Sequence, residues 1–213
     1  MDRAGRPRVI GVDFDNTIVS YDDVMHAEAT ARRLIPPGMR KSKQHIRDTI
    51  RQLRDGEVQW QQLQAVVYGP RMDEACLMDG AGDFFECCRR HGVRVVIVSH
   101  KSERYALDGT GTNFRRAAMD WMDRHGFFDA SGFGLSRDAV RFEATRREKI
   151  QQIRALGCTH FIDDLSELFL EENFPDGVEK ILFAPHGVVV PLAGVRAVSS
   201  WKEITDYVFS LDR

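Results

Sequence analysis

The sequence lacks any long hydrophobic run, and none approaches the roughly 18 consecutive apolar residues that a membrane-spanning helix needs. It also lacks an excess of positive charge, because 30 Lys and Arg residues face 32 Asp and Glu residues, for a formal net charge of −2. Without a basic field the chain has no general means of attracting nucleic acid. No apolar segment precedes the first predicted strand, so no secretion signal is expected. These absences predict a cytoplasmic protein with neither membrane nor nucleic-acid partners.

Cysteines are few and do not follow a metal-binding or disulfide pattern. The four are Cys76, Cys87, Cys88 and Cys158, with no C-x-x-C spacing and no histidine pair at zinc spacing. We therefore expect free thiols in a reducing compartment. The remaining composition is that of an ordinary globular chain, since 43% of the 213 residues are hydrophobic and 29% are charged. This length suits one large domain, or a core with a small insert.

Strand and helix patterns alternate over most of the chain. Apolar, β-branched runs predict strands at residues 8–14, 93–99, 159–164 and 179–185, with weaker candidates at 132–136 and 195–200. Amphipathic segments with capping signals predict helices at residues 81–92, 112–126, 145–157 and 200–212. Such alternation is typical of an α/β fold, in which a parallel sheet is covered by helices on both faces to give three layers. Ligands bind beyond the carboxyl ends of the strands in these sheets.

One segment interrupts the alternation after the first strand. About 60 residues there contain no convincing strand, and three helical patterns occupy residues 21–35, 41–56 and 57–69. The segment is too long for a simple crossover. We therefore predict a Rossmann-like core formed by residues 1–19 and 79–213, with a small helical insert at residues 20–78.

Polar residues follow the predicted strands at their carboxyl ends. The first strand leads into Asp13, Asp15 and Asn16, the second ends at Ser99, and the third ends at Asp163 and Asp164; Lys149 lies near the start of the preceding helix. Four carboxylates held together repel one another at neutral pH and need a positive partner. Mg²⁺ binds carboxylate, carbonyl and water oxygens, and often a substrate phosphate as well. The pattern predicts a magnesium site at this edge of the sheet.

These segments resemble the motifs of the haloacid dehalogenase (HAD) superfamily of phosphohydrolases. "DFDNT" resembles the first motif, D-x-D-x-T/V, and "VVIVSH" resembles the second, an apolar strand ending in Ser or Thr. Lys149 resembles the lysine of the third motif, and "FIDDL" resembles the paired acids of the fourth. All four motifs occur in order, and the resemblance covers essentially the whole chain.

The resemblance implies a role for each matching residue. Asp13 is implied as the nucleophile that forms an aspartyl-phosphate, and Asp15 as the general acid and base. The implied Mg²⁺ ligands are Asp13, Asp15 through its backbone carbonyl, and an acid of the Asp163–Asp164 pair. Ser99, Lys149 and Asn16, with the backbone N–H groups after Asp13, are implied to hold the phosphoryl oxygens.

Several points stay open at this stage. Either Asp163 or Asp164 can be the direct metal ligand, with the other supporting it or capping the next helix. Asn16 stands where many relatives have Gly, and an Asn tolerates a positive φ in such a turn. His100 and Lys101 follow Ser99 and are candidates either for substrate contacts or for the start of a solvated loop.

The insert resembles the helical C1 cap of the same superfamily, which closes over the site and selects the substrate. A cap of this size implies a small soluble phosphomonoester. The resemblance also associates the chain with bacterial pathways for sugars or surface polysaccharides, so a phosphorylated precursor from such a pathway is one candidate. Candidate contacts in the insert are His26, Arg40, Lys43, His45, Tyr68 and Arg71, and Arg104 or Tyr105 are candidates in the following loop. The sequence leaves a monomer and a homodimer equally open.

The favoured hypothesis is a Mg²⁺-dependent phosphatase of the HAD superfamily. A phosphomutase or phosphotransferase of the same fold carries the same motifs. A haloacid dehalogenase proper lacks the second aspartate of the first motif, so Asp15 argues against it. A receiver module has no cap, so the insert argues against it. A non-catalytic phospholigand-binding module is disfavoured because every motif residue is retained.

Overall fold

A computed structural model describes residues 7–104, 111–185 and 191–210 and contains a six-stranded parallel sheet. Its strands are β1 (Val9–Val12), β4 (Arg94–His100), β5 (Val140–Glu143), β6 (His160–Asp163), β7 (Glu179–Phe183) and β8 (Val195–Val198). Two further short strands, β2 (Val19–Ser20) and β3 (Cys76–Leu77), form a separate two-stranded sheet. The order across the large sheet is β5-β4-β1-β6-β7-β8, and each neighbouring pair is parallel. The first strand therefore lies near the centre, between β4 and β6.

Helices cover both faces of this sheet. The helices of the described chain are α1 (Asp22–Ala31), α2 (Lys43–Arg51), α3 (Gly56–Tyr68), α4 (Ala81–Arg90), α5 (Phe114–Arg124), α6 (Arg146–Ala155), α7 (Ser166–Phe169) and α8 (Trp201–Ser210). Of these, α4, α6 and α8 contact strands of the large sheet. Residues Ile150 and Ile153 of α6 pack on one face of the sheet, in a cluster that includes Leu182 of β7. On the other face Trp201 of α8 contacts the ring of Phe183, the neighbour of Leu182 in the same strand. The three-layer α/β fold that the sequence predicts is confirmed.

Local sequence explains why these elements form where they do. The β4 segment is rich in valine and isoleucine, and its residues from 95 to 99 are all buried, as expected for a central strand. Helix α6 begins with a capping box, in which the Thr145 hydroxyl accepts from the Glu148 N–H while the Glu148 carboxylate accepts from the Thr145 N–H. Gly11 of β1 is required by packing, because a Cβ at this position would lie 2.4 Å from the ring of Phe161.

One predicted strand is wrong. Residues 132–136 form a turn rather than a strand, because the Phe133 N–H bonds to the Gly126 carbonyl and the Leu135 N–H bonds to that of Phe127. The edge strand of the sheet is instead β5, a few residues later. The β-branched and aromatic residues of β5 alternate with charged ones over only four positions, so its pattern is weak. The stronger apolar composition of "GFGLS" favoured the wrong segment.

The described chain divides into two compact units. The first unit contains the described residues within Met1–Ile18, Leu77–Lys101 and Gly126–Arg213, and the second contains those within Val19–Cys76 and Ser102–His125. The second unit thus includes α5, which the sequence analysis assigned to the core. Helix α5 belongs with the insert because the Trp121 indole N–H donates to the Ala75 carbonyl, over 2.9 Å, and its ring is fully buried. The division into a catalytic core and a cap stays a prediction.

Other sequence expectations concern side chains and membranes. All four cysteines are free thiols, as predicted. Within the described ranges, no helix combines the length and the apolar character that crossing a lipid bilayer requires.

Candidate active site

The carboxyl ends of β1, β4 and β6 meet at one edge of the sheet because these three strands are neighbours. Asp13 directly follows β1, and its backbone N–H donates to the Ile162 carbonyl of β6 over 2.9 Å. Phe14 is fully buried and packs edge-to-face against Phe142, with ring centroids 5.9 Å apart. Asn16 then adopts a φ of 60°, a left-handed conformation that Asn tolerates better than most residues. Hydrogen bonding to β6 and burial of Phe14 thus fix the turn that carries both aspartates.

Lys149 joins two of the predicted acids. Its Nζ lies 2.5 Å from Oδ1 of Asp13 and 2.6 Å from Oδ2 of Asp163. All three side chains are buried, and each is less than a tenth exposed. The capping box at the start of α6 sets the position of Lys149 in the first turn of that helix. A helix and two neighbouring strands therefore hold the three charged groups together.

The two acids after β6 occupy different environments. Asp163 is fully buried, and while its Oδ2 accepts from Lys149, its Oδ1 accepts from the Leu165 backbone N–H over 2.9 Å. Asp164 is half-buried. Both oxygens of Asp163 are thus engaged within the protein, and Asp164 is the more accessible carboxylate of the pair.

The arrangement fits a hard divalent cation. One carboxylate oxygen from each of Asp13, Asp163 and Asp164 can be chosen so that all three lie within 4.8 Å of one another. Ligands on an octahedral Mg²⁺ at about 2.1 Å lie about 3 to 4 Å apart, so small side-chain shifts suffice to bring these oxygens onto one ion. Carboxylate oxygens favour a hard cation such as Mg²⁺ over a softer metal.

Ser99 supplies a hydroxyl to the same edge. It lies at the penultimate position of β4, is 1% exposed, and pairs in register with Phe142 of β5. Among the described residues, its Oγ has no hydrogen-bond partner. A buried hydroxyl normally has a partner, because leaving it without one costs about 1–3 kcal/mol. The orphan hydroxyl is consistent with a group that awaits an oxygen of a ligand.

Lys101 is the residue of this edge whose place sequence analysis left undecided. Its side chain is 3% exposed, and its Nζ lies 2.8 and 3.0 Å from the two carboxylate oxygens of Asp15. The neighbouring His100 is exposed and contacts the Ala144 carbonyl instead. The sequence could have placed Lys101 at this site, because side chains alternate along a strand and residue 101 therefore lies on the same face as Ser99.

The site carries an excess of negative charge. Four carboxylates, from Asp13, Asp15, Asp163 and Asp164, stand against two ammonium groups, from Lys101 and Lys149, which leaves two formal negative charges. Burial raises the pKa of Asp13; Lys149 opposes this and the charges of Asp163 and Asp15 add to it, so that the pKa is about 6 instead of 3.8. Burial acts to lower the pKa of Lys149, but the charges of Asp13 and Asp163 outweigh burial and raise it. Lys149 is therefore charged at neutral pH, and the site as a whole favours cations.

Three of the substrate-contact candidates in the insert contact other residues of the second unit. Arg71 forms ion pairs with Glu28 and Glu74, and its Nη1 lies 2.6 Å from Oε2 of Glu28. The Nζ of Lys43 lies over the ring of Tyr68, 5.5 Å from its centroid. These contacts are structural ones within the second unit. Tyr105 lies outside the described residues.

Comparison with solved structures identifies the fold. The chain is similar to a HAD family hydrolase from Deinococcus radiodurans with bound phosphate and sodium, at a TM-score of 0.59 and 14% identity over 97% of this chain and 96% of that one. It is also similar to a haloacid dehalogenase-like family protein from Streptococcus pneumoniae, at a TM-score of 0.59 and 15% identity over 95% and 98%. A third similar structure is the putative HAD-hydrolase YfnB from Bacillus subtilis bound to magnesium. Its TM-score is 0.55 and its identity 14%, over 96% of this chain and 99% of that one. At these identities the likeness shows the fold alone, which is that of the HAD superfamily hydrolases. No protein-family model and no curated protein matches the sequence.

Proposed function

We propose that this chain is a Mg²⁺-dependent phosphatase of the HAD superfamily, which hydrolyses a small soluble phosphomonoester through an aspartyl-phosphate intermediate. The observation that supports it most is the buried contact of Lys149 with both Asp13 and Asp163, at the edge of the sheet where Asp15, Ser99 and Asp164 also lie. This edge lies beyond the carboxyl ends of parallel strands, where open α/β folds bind their ligands.

Asp13 is the proposed nucleophile. An oxygen of its carboxylate attacks the phosphorus of the substrate, a bond forms between them, and the bond to the leaving oxygen breaks. Its pKa of about 6 leaves Asp13 mainly ionised at pH 7, as attack requires. Lys149 holds the carboxylate in place through the 2.5 Å contact, and its charge also stabilises negative charge on the transferring group.

Asp15 is the proposed general acid and base. Its protonated form gives a proton to the leaving oxygen in the first step and becomes the carboxylate that pairs with Lys101. That carboxylate takes a proton from water in the second step, as the water attacks phosphorus and frees Asp13. One group thus serves both steps and returns to its starting state. Asp15 is 17% exposed at its side chain, so water can reach it.

Residues of the same edge are proposed to hold the metal and the phosphoryl group. Mg²⁺ would neutralise the developing charge on the phosphoryl oxygens. Its proposed ligands are the side chains of Asp13 and Asp164 and the backbone carbonyl of Asp15, while Asp163 supports the site through Lys149 and the Leu165 N–H. The orphan hydroxyl of Ser99 and the turn at Asn16 would complete the phosphoryl-binding group.

The proposal predicts phosphate release that depends on Mg²⁺. We expect the purified protein to release inorganic phosphate from at least one member of a panel of sugar phosphates and other small phosphomonoesters. Chelation with EDTA should reduce the rate by at least about 100-fold, because the site keeps its two negative charges and repels the dianionic substrate. Adding excess Mg²⁺ back should restore the rate.

The same assay separates the alternatives. Adding alcohol acceptors and quantifying both phosphate and phosphorylated acceptor distinguishes a phosphatase from a phosphotransferase. A ligand-binding module would shift in melting temperature with a phosphomonoester but release nothing. Release at an equal rate with EDTA would contradict the metal-dependent mechanism. The cytoplasmic location and the monomeric or homodimeric state stay predictions.

A further inference from the structure

Lys101 is a fully buried charge in the first unit. Its side chain is 3% exposed, and its Nζ lies 5.4 Å from the centroid of the Phe14 ring, which is itself fully buried. An ammonium group in such surroundings is costly unless a counter-charge and hydrogen bonds compensate for lost water. Asp15 supplies both, since each of its two carboxylate oxygens accepts from Lys101.

The sheet holds Lys101 in place. Its backbone N–H donates to the Glu143 carbonyl, over 2.9 Å, which extends the pairing of β4 with β5 by one residue. The ammonium therefore stands on the end of a central strand and not on a free loop. An anchor of this kind can define the position of a partner side chain to within the small tolerance that catalysis requires.

We infer that Lys101 is a positioning residue, which fixes the carboxylate of Asp15 in the orientation needed for proton transfer. This inference rests on the proposed function. The terminal torsion of an aspartate is broad, and a carboxylate that water can reach has several orientations of similar energy. Two donors from one buried ammonium, at 2.8 and 3.0 Å, select a single orientation.

Lys149 does not duplicate this role. Lys149 contacts Asp13 and Asp163, whereas Lys101 contacts Asp15. One lysine thus lies against the proposed nucleophile and the other against the proposed acid and base. Loss of Lys101 should leave the Asp13–Lys149–Asp163 contacts in place.

The Lys101→Met variant tests this role, since methionine keeps much of the length and removes the charge. We expect kcat to fall by about 100-fold, the loss that a misplaced catalytic group produces, with KM changed by less than about threefold. The matched control is Lys180→Met. Lys180 also lies over a phenylalanine ring, that of Phe174 at 4.9 Å, but it donates to the Phe169 carbonyl and not to a carboxylate. The control should keep wild-type kinetics.

A double-mutant cycle with Asp15→Asn separates positioning from a purely structural effect. If Lys101 acts through Asp15, Lys101→Met should cause little further loss in the Asp15→Asn background, measured with an aryl phosphate whose leaving group needs little protonation. A structural role would reduce activity by the same factor in both backgrounds. In Lys101→Ala, small alkylammonium ions should restore part of kcat in a concentration-dependent manner, as they can occupy the space of the lost side chain.

The outcomes are distinguishable. An active wild type with unchanged kcat in Lys101→Met overturns this inference and leaves the proposed function standing. An equal loss in the Asp15→Asn background also overturns it. A wild type without phosphate release overturns the proposed function, and this inference with it. The inference is supported if Lys101→Met reduces kcat only when Asp15 is intact, and if alkylammonium ions rescue Lys101→Ala.

Discussion

Replacing Asp13 with Asn should abolish turnover, with a loss in kcat of about 10⁴-fold or more, because the variant lacks the carboxylate proposed as the nucleophile. An asparagine has almost the same shape, so Lys149 and the turn after β1 should keep their positions. Its amide oxygen is a far weaker nucleophile than a carboxylate. The check is phosphate release under single-turnover conditions, in which enzyme exceeds substrate, with enough substrate for the released phosphate to be detected.

Stability provides a control within the same variant. Burial raises the pKa of Asp13 to about 6, whereas 3.8 is its usual value, so folding favours the protonated form. The stability that Asp13 contributes is present below about pH 4 and is lost as the pH rises through about 6 in the metal-free protein. At 1.36 kcal/mol for each pH unit between these values, ionised Asp13 costs up to about 3 kcal/mol at pH 7.

The Asp13→Asn protein should therefore be inactive and yet no less stable than wild type in urea denaturation with EDTA at pH 7. Any excess in the free energy of unfolding of Asp13→Asn over that of wild type should shrink as the pH falls toward 4. Exposed Asp176 offers a control substitution, and Asp176→Asn should keep wild-type activity. An active Asp13→Asn enzyme would refute the nucleophile assignment, and an unfolded one would show that Asp13 is chiefly structural.

Replacing Asp15 with Asn should reduce kcat by about 10³-fold, within the usual contribution of general acid–base catalysis. Both proton transfers fail in this variant, one to the leaving oxygen and one from water. The loss should depend on the leaving group, because an alkoxide needs a proton more than a phenolate does. Comparing kcat/KM for an alkyl phosphate and an aryl phosphate measures this dependence directly, because kcat/KM covers the steps through formation of the aspartyl-phosphate and not its hydrolysis.

Asp15→Asn also leaves the ammonium of Lys101 beside a neutral amide, so its melting temperature must be measured alongside its rate. A variant that stays folded and loses alkyl phosphate activity far more than aryl phosphate activity supports the acid role. An equal loss of kcat/KM with both substrates would contradict it and point to a defect in binding or in folding.

Much of the fold followed from the sequence. The β-branched runs of β1, β4 and β6 have the length and the flanking signals of buried parallel strands, and their order places their carboxyl ends together. The polar residues at those ends can therefore be grouped from the sequence alone. The structure brings Asp13, Lys149 and Asp163 into contact, as that grouping suggested.

What the sequence left open depended on tertiary contacts. Asp163 and Asp164 are adjacent and chemically identical, and only the contacts of Asp163 with Lys149 and the Leu165 N–H separate them. In the sequence Lys101 resembles the start of a solvated loop. In the structure its backbone N–H donates to the Glu143 carbonyl and extends the strand by one residue. Helix α5 was assigned to the core because its pattern shows an amphipathic helix but not the surface on which that helix packs.

The most direct test of the central claim is chemical trapping of the intermediate. Borohydride reduces an aspartyl-phosphate to homoserine, which marks the modified residue permanently for peptide mass spectrometry. Quenching the enzyme with borohydride during turnover should produce homoserine at position 13, and only when both Mg²⁺ and a phosphomonoester substrate are present. Sustained phosphate release with residue 13 unmodified, or with the mark at another aspartate, would contradict the assignment of Asp13 as the nucleophile.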